Sequence, residues 1–259
     1  MPDIKVGMYL IQLAMLAIWG GHEGFNELLN KMYDILKQYG RPAWSELPIN
    51  IWKDFFYLQR GEFDMSIELS RKLISIAMKY KEVFYNIFAR IILGLSYSGK
   101  GRHQEAIRQL ESVVEMCRKY KSEKLVTALY SLAEVYLKID EFEKAIPLIQ
   151  EAHGICTDEE KNLNAYYQIH TFRLLGRVAV EEKDFEKAKE YLERSLVIAQ
   201  EDKNPIQEGL TQFALGQVYV NLTQYTLAKK AFEKAQDKFS EIDNKYYLAR
   251  VNDAKRMLK

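Results

Sequence analysis

Apolar side chains recur every three or four positions along most of the chain, which is the period of an α-helix with one buried face. Residues 125–136 show the pattern in their apolar members: Leu125, Ala128, Leu129, Leu132, Val135 and Tyr136. The 13 glycines and 5 prolines are few against the average usage of about 7% and 5%. The pattern therefore predicts an all-α protein of helices joined by short turns.

A spacing of small and bulky residues repeats at intervals of 39, 43 and 40 residues. Each copy begins at a small residue, with an alanine twelve positions later and a bulky residue four positions further on. The four copies are Gly94, Ala106, Leu110; Ala133, Ala145, Ile149; Gly176, Ala188, Leu192; and Gly216, Ala228, Phe232. Small residues allow two helices to cross closely. Each copy is therefore predicted to be an antiparallel helix pair that buries its apolar face by stacking on its neighbours.

Two weaker copies lie upstream and begin at Leu16 and Asp54, neither of which is the small residue that the pattern needs. Together the six copies resemble the tetratricopeptide repeat (TPR), although the usual repeat has 34 residues. Repeats near 40 residues are similar to those in the sensor domain of MalT-like bacterial regulators. The resemblance implies an α-solenoid of about six antiparallel helix pairs in a right-handed superhelix, followed by a C-terminal capping helix.

The domain organisation expected from the repeats is one TPR-like domain over residues 1–259. The expected repeats are 3–38, 46–79, 83–120, 122–157, 162–201 and 204–242, and the capping helix is 245–259.

Charge and motif content argue against most kinds of chemistry. With 37 Lys and Arg against 36 Asp and Glu, the net charge of +1 disfavours a general nucleic-acid binder. Cys117 and Cys156 do not make a disulfide framework, so a reduced, cytoplasmic location is expected. No phosphate-binding loop, zinc-protease motif or serine-hydrolase motif is present. We therefore expect no enzyme activity, no cofactor and no metal.

The resemblance places the first helix of each pair on the inner side of the superhelix and so implies a partner-binding groove. Its expected residues are Phe55, Gln59, Ile91, Leu95, Tyr130, Glu134, Lys138, His170, Arg173, Arg177, Phe213, Gln217 and Asn221. The groove would be apolar toward the N-terminal end and locally basic toward the C-terminal end. Arg173 and Arg177, one helical turn apart, would either meet an acidic ligand or pair internally with Glu134 or Glu181.

The function predicted is a non-enzymatic scaffold that binds a protein or peptide in bacterial or archaeal signalling. Two alternatives stay open. One is a small-ligand sensor and oligomerisation domain of a MalT-like activator, and the other is a regulator of a response regulator or another signalling protein. The chain itself is expected to bind neither nucleic acid nor a membrane.

The stretch from Val6 to Trp19 is apolar on nearly every side. It resembles the apolar part of a signal peptide, but Gln12 interrupts it and no clean cleavage site follows. We therefore expect a buried helix. Because an all-apolar helix is normally buried on all sides, Leu10, Leu13 and Trp19 are expected to contact a second copy in a homodimer or an upstream domain.

Overall fold

The computed structural model describes residues 2–19, 24–38, 46–157 and 165–258, which form α-helices and turns with no strand among them. In these ranges the helices are α1 (Pro2–Trp19), α2 (Phe25–Gln38), α3 (Leu47–Gln59), α4 (Phe63–Lys79), α5 (Val83–Gly99), α6 (His103–Tyr120), α7 (Leu125–Lys138), α8 (Phe142–Cys156), α9 (Ala165–Glu181), α10 (Phe185–Glu201), α11 (Pro205–Asn221), α12 (Tyr225–Glu241) and α13 (Lys245–Met257). The predicted all-α, helical-repeat fold class is confirmed. No helix in the described ranges is long and apolar enough to cross a membrane.

Contacts within the chain divide it into two compact units, Met1–Ala128 (unit 1) and Leu129–Lys259 (unit 2), and the division falls inside α7. The single domain expected from the repeats stays a prediction. Parts of the expected repeats and capping helix, namely residues 20–23, 162–164 and 259, lie outside the described residues.

Unit 1 has an aromatic core with one buried carboxyl group in it. The rings of Phe25 and Phe56 stack 3.9 Å apart, and Trp52 meets Phe88 edge-on at 5.4 Å. Asp54, which occupies the small-residue position of a weak copy, is fully buried. The hydroxyls of Ser66 and Ser70 on α4 donate to its two carboxyl oxygens at 2.6 and 2.5 Å. Small polar side chains on α4 thus satisfy the carboxyl group at this crossing.

Unit 2 shows why the repeat needs its small residues. A methyl group added at Gly216 of α11 would lie only 2.4 Å from the ring of Phe232 on α12. Ala188 of α10 and Ala228 of α12 are fully buried. The paired helices are therefore held at a separation that a longer side chain would increase.

The turns position the first helix of each pair. Asn204 caps α11, because its side-chain oxygen accepts a hydrogen bond from the backbone N–H of Gln207 at 3.3 Å. Pro205 follows at the first helical position, where its missing N–H costs nothing. This cap and proline, both readable in the sequence, fix where α11 begins and hence which side chains share its faces.

Candidate functional site

An aromatic–histidine stack joins α7 to α9 within unit 2. The ring of Tyr130 on α7 stacks on the imidazole of His170 on α9, with centroids 4.5 Å apart and an interplanar angle of 8°. Tyr166, one helical turn before His170, tilts against the same imidazole at 4.6 Å. Tyr166 is also hydrogen-bonded to Tyr130. Both tyrosine rings contact the imidazole and restrict its orientation.

Arg173 links this stack to α11. One guanidinium nitrogen, Nη1, donates to Oε1 of Gln207 at 2.6 Å. The other, Nη2, lies 3.1 Å from Nδ1 of His170, and it must be the donor because a guanidinium cannot accept. Arg173 is therefore held by one side chain from α9 and one from α11.

Glu134 supplies the negative charge nearby. Its carboxylate lies 3.3 Å from Nζ of Lys138, one turn further along α7. Burial acts to raise the pKa of Glu134, but the charges of Lys138 and Arg173 outweigh it and lower that pKa to about 2. Glu134 is therefore ionised at neutral pH.

Arg177 is held by the C-terminal end of α7. Its Nη2 donates to the backbone carbonyl of Leu137 at 2.5 Å. Carbonyls in the last turn of a helix lack a helical partner and carry partial negative charge. Both arginines are hydrogen-bonded within the chain, but their partners are Gln207, His170 and the Leu137 carbonyl rather than the expected Glu134 or Glu181. Glu134 and Arg173 interact through their charges.

His170 and Gln207 each keep one polar atom without a partner. Burial, and then the charge of Arg173, lowers the pKa of His170 well below its ordinary value, so the imidazole is neutral. His170 is about nine-tenths buried and Gln207 is fully buried. Neither Nε2 of His170 nor Nε2 of Gln207 has a hydrogen-bond partner. We call Tyr130, Glu134, Tyr166, His170, Arg173 and Gln207 the Arg173 cluster.

Tyr166 and Gln207 were not among the residues expected from the sequence. Both lie in the first turn of their helices, upstream of the positions that the resemblance assigns to the groove. Tyr166 lies one helical turn before His170, and Gln207 lies nearly two turns before Phe213. The fixed start of α11 at Asn204 and Pro205 was the available signal.

The remaining expected residues of unit 2 are spread along α11. Phe213 is half-buried against Phe232, and the guanidinium of Arg250 lies 5.7 Å from its ring. Gln217 and Asn221 are exposed. The structure thus brings Tyr130, Glu134, His170 and Arg173 together and leaves Gln217 and Asn221 on the surface.

The expected groove residues of unit 1 are mostly internal. Ile91 is 1% exposed, and Phe55 packs against Trp52 and Phe88. Gln59 is buried and Leu95 is half-buried. These positions stabilise unit 1 and offer little surface to a partner.

The first helix is only partly covered. Leu13 is fully buried in the core of unit 1, so its expected role as a contact outside the chain is wrong. Leu10 and Trp19 are half-buried. Among the side chains of residues 7–19, the exposed large apolar ones are instead Met8, Ile11 and Met15. A second copy or an upstream domain covering this helix stays a prediction.

Within the described ranges, no group of three or more His, Cys, Asp or Glu side chains is arranged to hold a metal ion. Cys117 and Cys156 are free thiols, and burial raises the pKa of each to about 11. Such thiols are protonated at neutral pH and are poor nucleophiles.

Two family models, both described as tetratricopeptide repeat, match the chain. One matches residues 124–201, and the other matches residues 89–120 and 211–237. Together they cover just over half of the 259 residues. No curated protein matches the chain.

Solved structures with a similar fold include NprR in complex with its cognate peptide NprX, at 15% identity and a TM-score of 0.73, covering 97% of this chain and 72% of that one. A Rap protein complexed with Competence and Sporulation Factor is similar at 15% identity and a TM-score of 0.63, covering 99% and 72%. TPR-like repeats of a kinesin light chain from Podosopora anserina are similar at 20% identity and a TM-score of 0.51, covering 77% and 97%.

Proposed function

Because the chain is a tetratricopeptide-repeat protein, we propose that it is a non-catalytic scaffold whose unit 2 binds a protein or peptide. Helix-pair repeats commonly present their partner-binding side chains on an extended surface. The residues proposed to contact the partner are Tyr130, Glu134, Lys138, His170, Arg173, Arg177, Phe213, Gln217 and Asn221.

The observation that carries this proposal is the Arg173 cluster. Side chains of opposite charge and three aromatic rings converge from α7 and α9, and Gln207 joins them from α11. Such aromatic residues and arginines are enriched at sites where proteins bind other proteins. The cluster therefore supports recognition of a chain rather than a general stabilising role.

The chemistry of the described side chains supports a non-catalytic role. A cysteine nucleophile needs a lowered pKa or an adjacent base, whereas burial raises the pKa of Cys117 and Cys156. Burial, and then the charge of Arg173, lowers the pKa of His170 well below its ordinary value, so its imidazole is a weak base, and its Nδ1 is occupied by the hydrogen bond with Arg173. Binding is then the activity that these side chains can perform.

The two ligand-bound neighbours, of which NprR holds its cognate peptide, favour a peptide as the partner and peptide-responsive signalling as the setting. NprR is crystallised with its cognate peptide, and the Rap protein is crystallised with Competence and Sporulation Factor. At 15% identity these structures establish the shared fold. The ligand class is our proposal for this chain.

The test is retention of peptides from a random hexapeptide library by the immobilised chain, read by mass spectrometry. We expect Arg173→Glu combined with Arg177→Glu to abolish retention while helicity by circular dichroism is kept. The matched control is Lys187→Glu with Arg194→Glu, which reverses two exposed charges on α10. Equal retention by the wild type and the Arg173/Arg177 variant would contradict the proposed site. Retention of small molecules without peptides would favour the small-ligand sensor.

A further inference from the structure

The hydrogen bonds of Arg173 occupy the acceptor atoms of its two neighbours, Gln207 and His170. A guanidinium has five donors and no acceptor, so its two neighbours must each give it an acceptor atom. Gln207 uses Oε1 and His170 uses Nδ1. Each neighbour is left with a nitrogen on its other side.

The two leftover nitrogens are both donors. The pKa of His170 is lowered, so the imidazole carries one proton, and with Nδ1 accepting from Arg173 that proton must be on Nε2. The free nitrogen of Gln207 is its amide NH₂ group. Both are buried and unpartnered, a costly state that native proteins normally avoid.

The carboxylate of Glu134 does not bond the two leftover donors. It pairs with Lys138 at 3.3 Å, while Nε2 of His170 and Nε2 of Gln207 have no hydrogen-bond partner. Two cationic side chains, Lys138 and Arg173, act on this one carboxylate. A ligand group that carries negative charge and accepts hydrogen bonds would balance the second cation and satisfy both donors, whereas an ammonium group would do neither.

We propose that the Arg173 cluster binds a carboxylate group of the peptide, with Arg173 as the charged partner and His170 Nε2–H and the Gln207 amide as additional donors. The proposal rests on the proposed function, since it names the group that the partner presents. Arg173 is half-exposed, so it meets the carboxylate first. The donor atoms of His170 and Gln207 are closed to solvent, so the carboxylate reaches them only when the side chains that cover them move aside.

The first experiment examines the cluster without any peptide, using the full chain labelled with ¹⁵N-histidine. We expect the NMR spectrum of His170 to show the Nε2–H tautomer. Sodium acetate should shift the Nε2 signal in a saturable way, and sodium chloride at equal ionic strength should not. His153, half-buried elsewhere in unit 2, is the internal control. An unprotonated Nε2, or identical responses to the two salts, would overturn the proposal.

The second experiment uses hexapeptide libraries prepared as C-terminal acids and as C-terminal amides, each with and without Asp and Glu. We expect the wild type to retain carboxylate-bearing peptides at least about tenfold better than peptides with none. Dependence on the terminal acid would identify a C-terminal carboxylate. Dependence on Asp or Glu would identify a side-chain carboxylate. Retention independent of both overturns the inference.

Two variants assign the effect to the additional donors. Gln207→Glu replaces the amide NH₂ donor with an acceptor oxygen, and the new carboxylate can still pair with Arg173. His170→Phe keeps an aromatic ring in the stack but removes both ring nitrogens. Each should lower the retention of carboxylate peptides about tenfold. The control Gln200→Glu adds the same charge at an exposed position of α10 and should not. Wild-type retention by a folded Gln207→Glu protein would overturn the assignment even if His170→Phe fails to fold.

Peptide binding by the scaffold and carboxylate binding by the Arg173 cluster are contradicted by different results. If the wild type retains no peptide of any kind, the proposed function is wrong, and the acetate response of His170 alone decides whether the cluster binds carboxylates. If peptides are retained regardless of their carboxylates, the scaffold function stands and the inference is overturned.

Discussion

Each unit contains a buried polar cluster, and the two clusters differ in whether their hydrogen bonds are complete. In unit 1, both carboxyl oxygens of Asp54 receive a serine hydroxyl. In unit 2, His170 and Gln207 each bond Arg173 and still keep an unpartnered donor. A structural crossing requires its buried polar groups to be satisfied. The two unpartnered donors of unit 2 are the groups that the proposed carboxylate would satisfy.

The position of each cluster in its repeat also differs. Asp54 lies at the small-residue position, where a helix pair crosses, and its partners lie on the adjoining helix. Arg173 and His170 lie away from that position. Both clusters connect to the next repeat, through the hydrogen bond of Ser66 with Ser96 in unit 1 and through Gln207 in unit 2, so the crossing position and the unpartnered donors are what separate them.

The largest expected effect concerns the pH dependence of unit 1. Burial raises the pKa of Asp54 to about 7, against the opposing hydrogen bonds from Ser66 and Ser70. The folded state therefore keeps this proton up to about pH 7, whereas the unfolded chain releases it near pH 4. The free energy of unfolding should fall between these pH values by up to about 4 kcal/mol and then level off.

Urea unfolding from pH 4 to pH 8 would measure this fall. Asp54→Asn removes the titrating carboxyl group, so the fall in the free energy of unfolding that Asp54 causes should disappear. Asp64 is an exposed acid on α4, and Asp64→Asn should leave that fall unchanged. An identical pH dependence in the wild type and Asp54→Asn would show that the carboxyl group is not held as described.

An intermediate effect is expected from overpacking a crossing in unit 2. Ala188 is fully buried between α9 and α10, so Ala188→Leu should cost about 1–3 kcal/mol. Because repeats contact mainly their neighbours, hydrogen exchange should first increase in α9 and α10. Lys189→Leu is the adjacent surface control. An unchanged melting temperature for Ala188→Leu would contradict the repeat register.

The smallest change in stability is expected for His170→Phe, and comparing it with Ser70→Ala tests the difference between the two polar clusters. His170→Phe removes an unsatisfied donor together with one hydrogen bond, so the change in stability should stay within about 1 kcal/mol. Ser70→Ala in unit 1 removes a satisfied donor from a buried carboxyl and should cost roughly 1–3 kcal/mol. Urea unfolding at pH 7 compares the two variants. A larger loss for His170→Phe than for Ser70→Ala would mean that the Arg173 cluster is structural.

The site could be predicted only in part. The resemblance to the repeat family was enough to group Glu134, His170, Arg173 and Arg177 as residues of two consecutive first helices. It did not identify Gln207 as the partner of Arg173, because that contact joins residues 34 apart and depends on how two repeats stack. The resemblance also placed the buried Ile91 in the groove, and the apolar pattern placed the buried Leu13 at an outside contact, since neither shows which neighbour covers a side chain.

The helices, their pairing and the repeat can be read from the residue pattern, because they follow from local quantities: a period of three to four residues, small residues at fixed intervals, and caps such as Asn204–Pro205. Which polar atoms are satisfied depends on how the helices pack. Whether Asp54 finds two hydroxyls, or His170 keeps a donor without a partner, depends on angles and distances between helices far apart in sequence. A hydrogen bond is made or lost within a few tenths of an ångström, a precision that a residue pattern does not encode.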